Sequence, residues 1–343
     1  MLWQRLKSWL ARVFRGEVAP GRFESGAKFS WHGWLAGAPL VWPRRDYLVY
    51  IPRGFSRRKS PALLVLCHAC KQTADEIAAA TRMTELADRE GWLILLPRQK
   101  ESANPWYCWN WFDARTAEGK GEAAIVAAQI EAAVSHYGVD SNRIFVAGMS
   151  AGGALAAILG MRHAGLVRAV IVHSGLACGA AASPMTALGV MKRGPDADVE
   201  RIAIDARGQA GNDALPIPLL AIHGDADDIV APRNAIALAR QYLRLNGHPA
   251  IEAHIASESA LPPADAQSRA VVDGRTMTTH DWRIASRLVV RLVIVDGLGH
   301  AWSGGDEKLP FSDAHAPDAT ALIAEFAREA LGLASGRGLL FRK

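Results

Sequence analysis

Cysteine is scarce in this sequence. The four present, Cys67, Cys70, Cys108 and Cys178, are too few to build a disulfide scaffold. Cys67 and Cys70 form a lone C-x-x-C with no second pair to complete a zinc site, so they read as small core residues at a strand end rather than as a redox motif. Long apolar runs are also missing, and no stretch reaches the roughly 20 residues of a membrane span. No basic stripe interleaved with aromatics is present, which argues against nucleic acid as a partner. The N-terminus lacks the continuous apolar core of a secretory signal. Its apolar residues Leu2, Trp3, Leu6, Trp9, Leu10, Val13 and Phe14 recur instead every three to four positions between charges. Residues 1–18 are therefore expected to form a basic amphipathic helix, which either lies on a membrane or other apolar surface or docks on the body of the protein.

Half of the 343 residues are hydrophobic and 21% charged, with a net charge of +5, a composition that supports a sizeable core. After a Gly- and Pro-containing stretch read as an irregular connector (19–42), β-type apolar runs alternate with helical patterns. The runs are 47–51, 63–67, 92–96, 144–147, 169–172, 219–222 and 289–295. The helices are expected over 74–89, 121–137, 152–163, 234–245 and 319–331. Such alternation predicts an α/β fold with a mostly parallel central sheet and helices on both faces. The chain divides into an N-terminal helix and connector (1–45), one large domain (46–332) and a short basic tail (333–343). Excursions at about 176–215 and 256–285 are the expected loops or small cap over a site.

The most specific motif is Gly148-Met149-Ser150-Ala151-Gly152, placed after a short apolar strand and before a small-residue helix. This is the setting of a nucleophile elbow, whose tight turn lifts the serine Oγ above the sheet at the positive end of the following helix. A serine hydroxyl needs a base to take its proton, and the base needs an acid to orient it. In this arrangement the order is Ser, acid, His. The loop after the apolar run 219–222 offers three aspartates, Asp225, Asp227 and Asp228. Asp227 is preferred because it stands three residues before Val230, while the other two suit turn or cap roles. His300 follows the last apolar run in a glycine-rich loop. His68, His173 and His223 lie at strand ends on the same rim, where structural hydrogen bonds are their expected role. Two backbone N–H groups must also stabilise the oxyanion. Ala151 supplies one, and the turn His68–Thr73 is the source of the other.

That turn, His68-Ala69-Cys70-Lys71-Gln72-Thr73, resembles the oxyanion segment of the poly(3-hydroxybutyrate) depolymerase family of esterases. Further segments match in order: Asn104-Pro105, Cys108-Trp109-Asn110-Trp111-Phe112, Gly148–Gly153, His173-Ser174-Gly175-Leu176, His223-Gly224 with Asp227 and Val230, and Gly299-His300-Ala301-Trp302-Ser303-Gly304-Gly305. The resemblance runs from about 47 to 330. It implies an α/β-hydrolase fold, no metal or organic cofactor, and hydrolysis of short-chain esters through an acyl-enzyme. Position by position it assigns Ser150, Asp227 and His300 to the triad and the N–H groups of Cys70 and Ala151 to the oxyanion hole. Ser174 and Trp302 become candidate substrate-binding residues. Trp302 is expected to be partly exposed in the cleft, although it, Trp109 and Trp111 also suit a core. The resemblance further implies that Cys70 and Cys108 pair in an oxidising compartment and stay as thiols in the cytoplasm.

Two departures stand out. Ala69 replaces the family's glycine, so a methyl group could crowd the turn or restrict φ. The family's usual secretion signal and polymer-binding domain are missing. The sequence thus points to a cytoplasmic or peripherally surface-associated esterase acting on soluble oligomers, small esters or an intracellular polymer surface. Residues 1–18 would then contact a membrane or polymer granule. The alternatives are a feruloyl or acetyl-xylan type carbohydrate esterase and, from another class, a non-catalytic surface-binding protein that keeps only the fold.

Overall fold

A computed structural model describes residues 21–29, 44–210, 215–253 and 260–333. The expected amphipathic helix at 1–18 and the tail beyond 333 lie outside them. The core is a ten-stranded sheet in the order β1-β2-β4-β3-β5-β6-β7-β10-β9-β8. Its strands are β1 (Arg22–Phe29), β2 (Arg44–Ile51), β3 (Leu63–Cys67), β4 (Leu93–Pro97), β5 (Ile144–Met149), β6 (Ala169–His173), β7 (Leu219–Gly224), β8 (Ala266–Val272), β9 (Arg275–Ile284) and β10 (Arg287–Val295). The run from β4 to β10 pairs in parallel, and both margins are antiparallel.

Strands covered on both faces must be apolar throughout, because alternate side chains point to opposite layers. In β3, Leu63, Val65 and Cys67 face one core and Leu64 and Leu66 the other. In β5, Ile144 and Val146 oppose Phe145, Ala147 and Met149 in the same way. The first core is closed by α4 (Gly121–Tyr137), α5 (Ala151–Arg162), α6 (Pro184–Arg193), α7 (Val199–Ala210) and α8 (Arg233–Asn246). The second is closed by α1 (Ala74–Ala80), α2 (Met83–Glu90) and α10 (Ala319–Leu331). Short helices α3 (Ala114–Ala117) and α9 (Pro249–Ala253), a 3-10 turn at Arg57–Lys59, and a two-stranded pair β11 (Trp302–Ser303) and β12 (Ser312–Asp313) complete the described elements. No helix among the described residues is long and apolar enough to cross a membrane.

Two expectations need correction. The helix read as continuous over 74–89 is broken, because Arg82 sits at φ 51° between α1 and α2. On an unbroken helix Ile77 and Leu86, nine positions apart, would lie on opposite faces, yet both are buried, so the shift of the buried face marks the break. The connector at 19–42 contains β1, paired with β2 along eight residues. The excursions, expected to be loops or a small cap, carry regular elements over much of their described residues. Residues 184–210 form α6 and α7, and 266–284 form a hairpin that extends the sheet beyond β10. That hairpin is moored to α10 through Arg291, whose guanidinium grips Asp281 of β9 at 2.7 and 2.6 Å and also reaches Glu329.

Candidate active site

The C-terminal ends of β3, β5, β6, β7 and β10 bring the candidate residues to one rim. Ser150 follows β5 directly and sits at φ 56°, ψ −120°, in the left-handed region that few non-glycine residues adopt. The elbow can be this tight only because Gly148 and Gly152, two positions to either side, lack side chains. A Cβ on Gly148 would stand 2.3 Å from Gly152 C and O, and one on Gly152 would stand 2.2 Å from Cys67 O. The Ser150 amide donates to His173 O at 3.0 Å, which ties the turn to β6. Ser150 also caps the 12-residue helix α5, placing its hydroxyl at the positive end of the dipole.

Seventy-three positions apart in sequence, His300 Nδ1 donates to Asp227 Oδ2 at 2.8 Å. Asp227 Oδ1 accepts the amides of Ile229 (3.0 Å) and Val230 (2.8 Å). Burial pushes this carboxyl towards the neutral form, but the hydrogen bonds from His223, His300 and Val230 outweigh it and hold the group well below the usual carboxylate range. The rival acids are placed differently: Asp225 Oδ1 accepts the Gly297 amide at 2.6 Å, and Asp228 is exposed, with only its backbone carbonyl engaged among the described residues, by Lys192 Nζ. The Ser150 hydroxyl makes no hydrogen bond to the imidazole among the described residues. Such contacts are often long without substrate and tighten in the Michaelis complex.

Ala151 opens α5, so its N–H has no acceptor within the helix. On the facing turn, the amides either side of Cys70 are engaged, Ala69 N with Gln72 Oε1 (3.0 Å) and Lys71 N with Trp106 O (2.6 Å). The Cys70 amide makes no hydrogen bond among the described residues. Cys70 is joined to Cys108 by a disulfide and Cys67 is a buried free thiol. The positive φ of this turn falls on Lys71 and not on Ala69, so the alanine methyl is accommodated. The turn rests on buried polar contacts: Trp109 Nε1 donates to His68 O at 3.1 Å, and His68 Nε2 accepts the Gln99 amide at 3.2 Å.

Two candidates are displaced from the role the sequence suggested. Trp302 is only 1% exposed, stacked on His173 with ring centroids 5.0 Å apart. Its Nε1 donates to Thr320 Oγ1, so it moors the His300 loop to α10 instead of lining a cleft. Ser174 is fully buried, with its hydroxyl 3.2 Å from His173 Nδ1. Neither can touch substrate as placed. Trp109 and Trp111 are core residues, in keeping with their structural reading. A cleft of about 500 Å³ bounded by Arg45, Asn110, Phe112, Glu122 and Pro184 is not lined by Ser150, Asp227 or His300. Its Glu122 carboxylate is committed to Gln99 and Asn110. No group of three or more His, Cys, Asp or Glu among the described residues is placed to hold a metal ion.

The rim histidines carry a pH signature. Burial pushes His173 down to about 3, with the nearby His223 and His300 adding to the effect, and pushes His68 down to about 4. Both are neutral when folded, whereas the unfolded chain takes up their protons below about 6.5. Their contribution to stability is therefore complete above pH 6.5 and is lost progressively as pH falls towards 4 and then 3. Between pH 7 and pH 5 each should cost the fold ~2 kcal/mol. Urea unfolding at the two pH values is the check, and an unchanged midpoint would contradict the buried neutral assignment.

The sheet order and the serine elbow at the end of β5 define an α/β-hydrolase fold. Within it, the chain belongs to the esterase PHB depolymerase family, whose model matches residues 45–260. Feruloyl esterase B of Neurospora crassa is 26% identical over 206 residues, covering 58% of this chain and 69% of the relative. A poly(3-hydroxybutyrate) depolymerase of Ralstonia pickettii is 27% identical over 179 residues, covering 46% of this chain and about a third, 35%, of that protein. The acetyl xylan esterase from Aspergillus awamori superposes with a TM-score of 0.66 at 18% identity, over 91% of this chain and 100% of the other, which establishes the shared fold.

Proposed function

We propose that the protein is a serine esterase that hydrolyses short-chain carboxylic esters through Ser150, His300 and Asp227, with polyhydroxyalkanoate (3-hydroxybutyrate) oligomers or polymer as the substrate class. The observation that carries the reading is the 2.8 Å contact of His300 with Asp227 on the rim where the elbow presents Ser150. His300 takes the Ser150 proton as Oγ attacks the ester carbonyl. Asp227 fixes the Nδ1–H tautomer and stabilises the imidazolium. The N–H groups of Ala151 and Cys70 receive the oxyanion. As the tetrahedral intermediate collapses, His300 protonates the leaving alcohol and an acyl-Ser150 ester remains. Water, deprotonated by His300, then releases the acid and restores the serine.

The family match and the depolymerase relative support hydroxyalkanoate esters. The feruloyl and acetylxylan esterases among its relatives support a second reading, a carbohydrate-linked ester. Parallel assays on 3-hydroxybutyrate oligomers, methyl ferulate and acetylated xylo-oligosaccharides separate the two. Turnover of the oligomers at least ten times faster than of the other esters is expected, and the reverse order would assign the protein to cell-wall esters.

A further inference from the structure

We propose that His223 is a positioning residue for the catalytic acid, locking the Asp227 carboxylate in the orientation that holds His300. The inference rests on the triad reading above. His223 Nε2 lies 2.8 Å from Val230 O. A carbonyl only accepts, so this nitrogen carries the proton and the tautomer is set. The same N–H stands 3.4 Å from Asp227 Oδ2, the oxygen that also receives His300. Oδ1 is held by two backbone amides. Donors thus surround both oxygens, and turning the carboxylate about Cβ–Cγ would break all of these contacts together.

His223 is placed rigidly enough for the task. It is 1% exposed and lies within β7, in register with Ile294 of β10, the strand that leads to the His300 loop. Its ring also spans the acid loop as a chord: Val230 donates its amide to Asp227 and receives the His223 proton on its carbonyl. A short loop carrying the acid is in this way fixed against a central strand, where site geometry is best preserved.

Two consequences separate positioning from simple packing. A carboxylate free to rotate leaves the His300 ring turned away from Ser150 Oγ for part of the time, so kcat falls while KM stays. A carboxylate with one donor fewer is more basic and holds the His300 proton more tightly, so the acidic limb of the kcat/KM profile moves to higher pH. Other ionisable groups facing the pair are His173 from β6, kept neutral by burial, and Asp225, bound to the Gly297 amide. Arg82, between α1 and α2, reaches the Gly304 carbonyl and Lys192 from α6 the Asp228 carbonyl. All four are unchanged across the variants below.

The test uses the full chain with His223→Leu, which removes the donor, and His223→Gln, which keeps an N–H. Kinetics on p-nitrophenyl butyrate are followed across pH, together with the downfield proton resonance of the His300 Nδ1–H. His223→Leu is expected to lower kcat about 10- to 100-fold, in the range seen when a partner that orients an active group is lost. KM should stay within about twofold, the acidic limb should rise by about half a unit or more, and the downfield proton should shift. His223→Gln should restore most of the rate and return the limb towards wild type. Equal losses in both variants, or a limb and proton resonance unmoved in His223→Leu, would overturn the proposal. If the leucine variant does not fold, His223→Gln decides alone: a retained resonance and limb support the proposal, and their loss refutes it. A Ser150→Ala protein that kept its activity would instead overturn the triad, independently of the His223 result.

Discussion

Ser150→Ala is expected to reduce kcat/KM by ~10⁴-fold or more, equivalent to about 5 kcal/mol of transition-state stabilisation. No other group described on the rim can replace the nucleophile. Cys67 is buried and Cys70 is in a disulfide, while Ser174 is closed off against His173. The substitution should leave the fold alone. Alanine keeps the Cβ, and the backbone bonds from Ser150 N to His173 O and from Ala154 N to Ser150 O do not involve the hydroxyl. Thermal melting should therefore be unchanged within a few degrees while hydrolysis of p-nitrophenyl butyrate collapses. Any remaining acceleration would come from the two backbone amides and from binding. Wild-type turnover in a well-folded Ser150→Ala protein would remove the serine mechanism altogether.

The second large effect concerns stability. Gly152→Ala is expected to cost about 3 kcal/mol or more. Its methyl would lie 2.2 Å from Cys67 O and 2.5 Å from His68 O, and backbone atoms inside a buried sheet cannot step aside as the end of a flexible side chain could. The strain falls where β3 meets the first turn of α5, so the surviving folded molecules should also lose rate, because the Ala151 and Cys70 amides would be forced apart. Gly208→Ala in α7 is the control. Nothing lies within 4 Å of its Cβ position, and an alanine inside a helix should stabilise by up to ~1 kcal/mol. Urea unfolding of the two variants should move in opposite directions, and a Gly152→Ala midpoint equal to wild type would show that the elbow has room to spare.

The central strands were readable because burial on both faces demands unbroken apolar runs, and β3, β5, β6 and β7 consist of little else. The elbow was readable for a steric reason, since the contacts that forbid a Cβ at Gly148 and Gly152 force glycine into the sequence. Asp227 could be preferred to Asp225 and Asp228 from its spacing to Val230, the residue whose amide it accepts. The hairpin escaped notice because β8 is exposed along its whole length and β9 is mostly polar. It pairs through its backbone and leaves no apolar pattern to detect. Trp302 was misjudged for a related reason. A tryptophan next to the candidate base suits a cleft or a core equally well, and only the stacking on His173 and the bond to Thr320 decide it. The i, i+4 spacing of His223 and Asp227 was visible, but the turn that brings them together was not.

The family model matches residues 45–260, whereas β10, the His300 loop and α10 follow that span. A fragment ending there would keep Ser150 and Asp227 and lose His300, the proposed base. It would also strip the neighbour from β7, whose six residues are all buried, turning a central strand into an open apolar margin of the kind that drives aggregation. Such a fragment is expected to accumulate as insoluble protein, whereas one ending at 333 should fold.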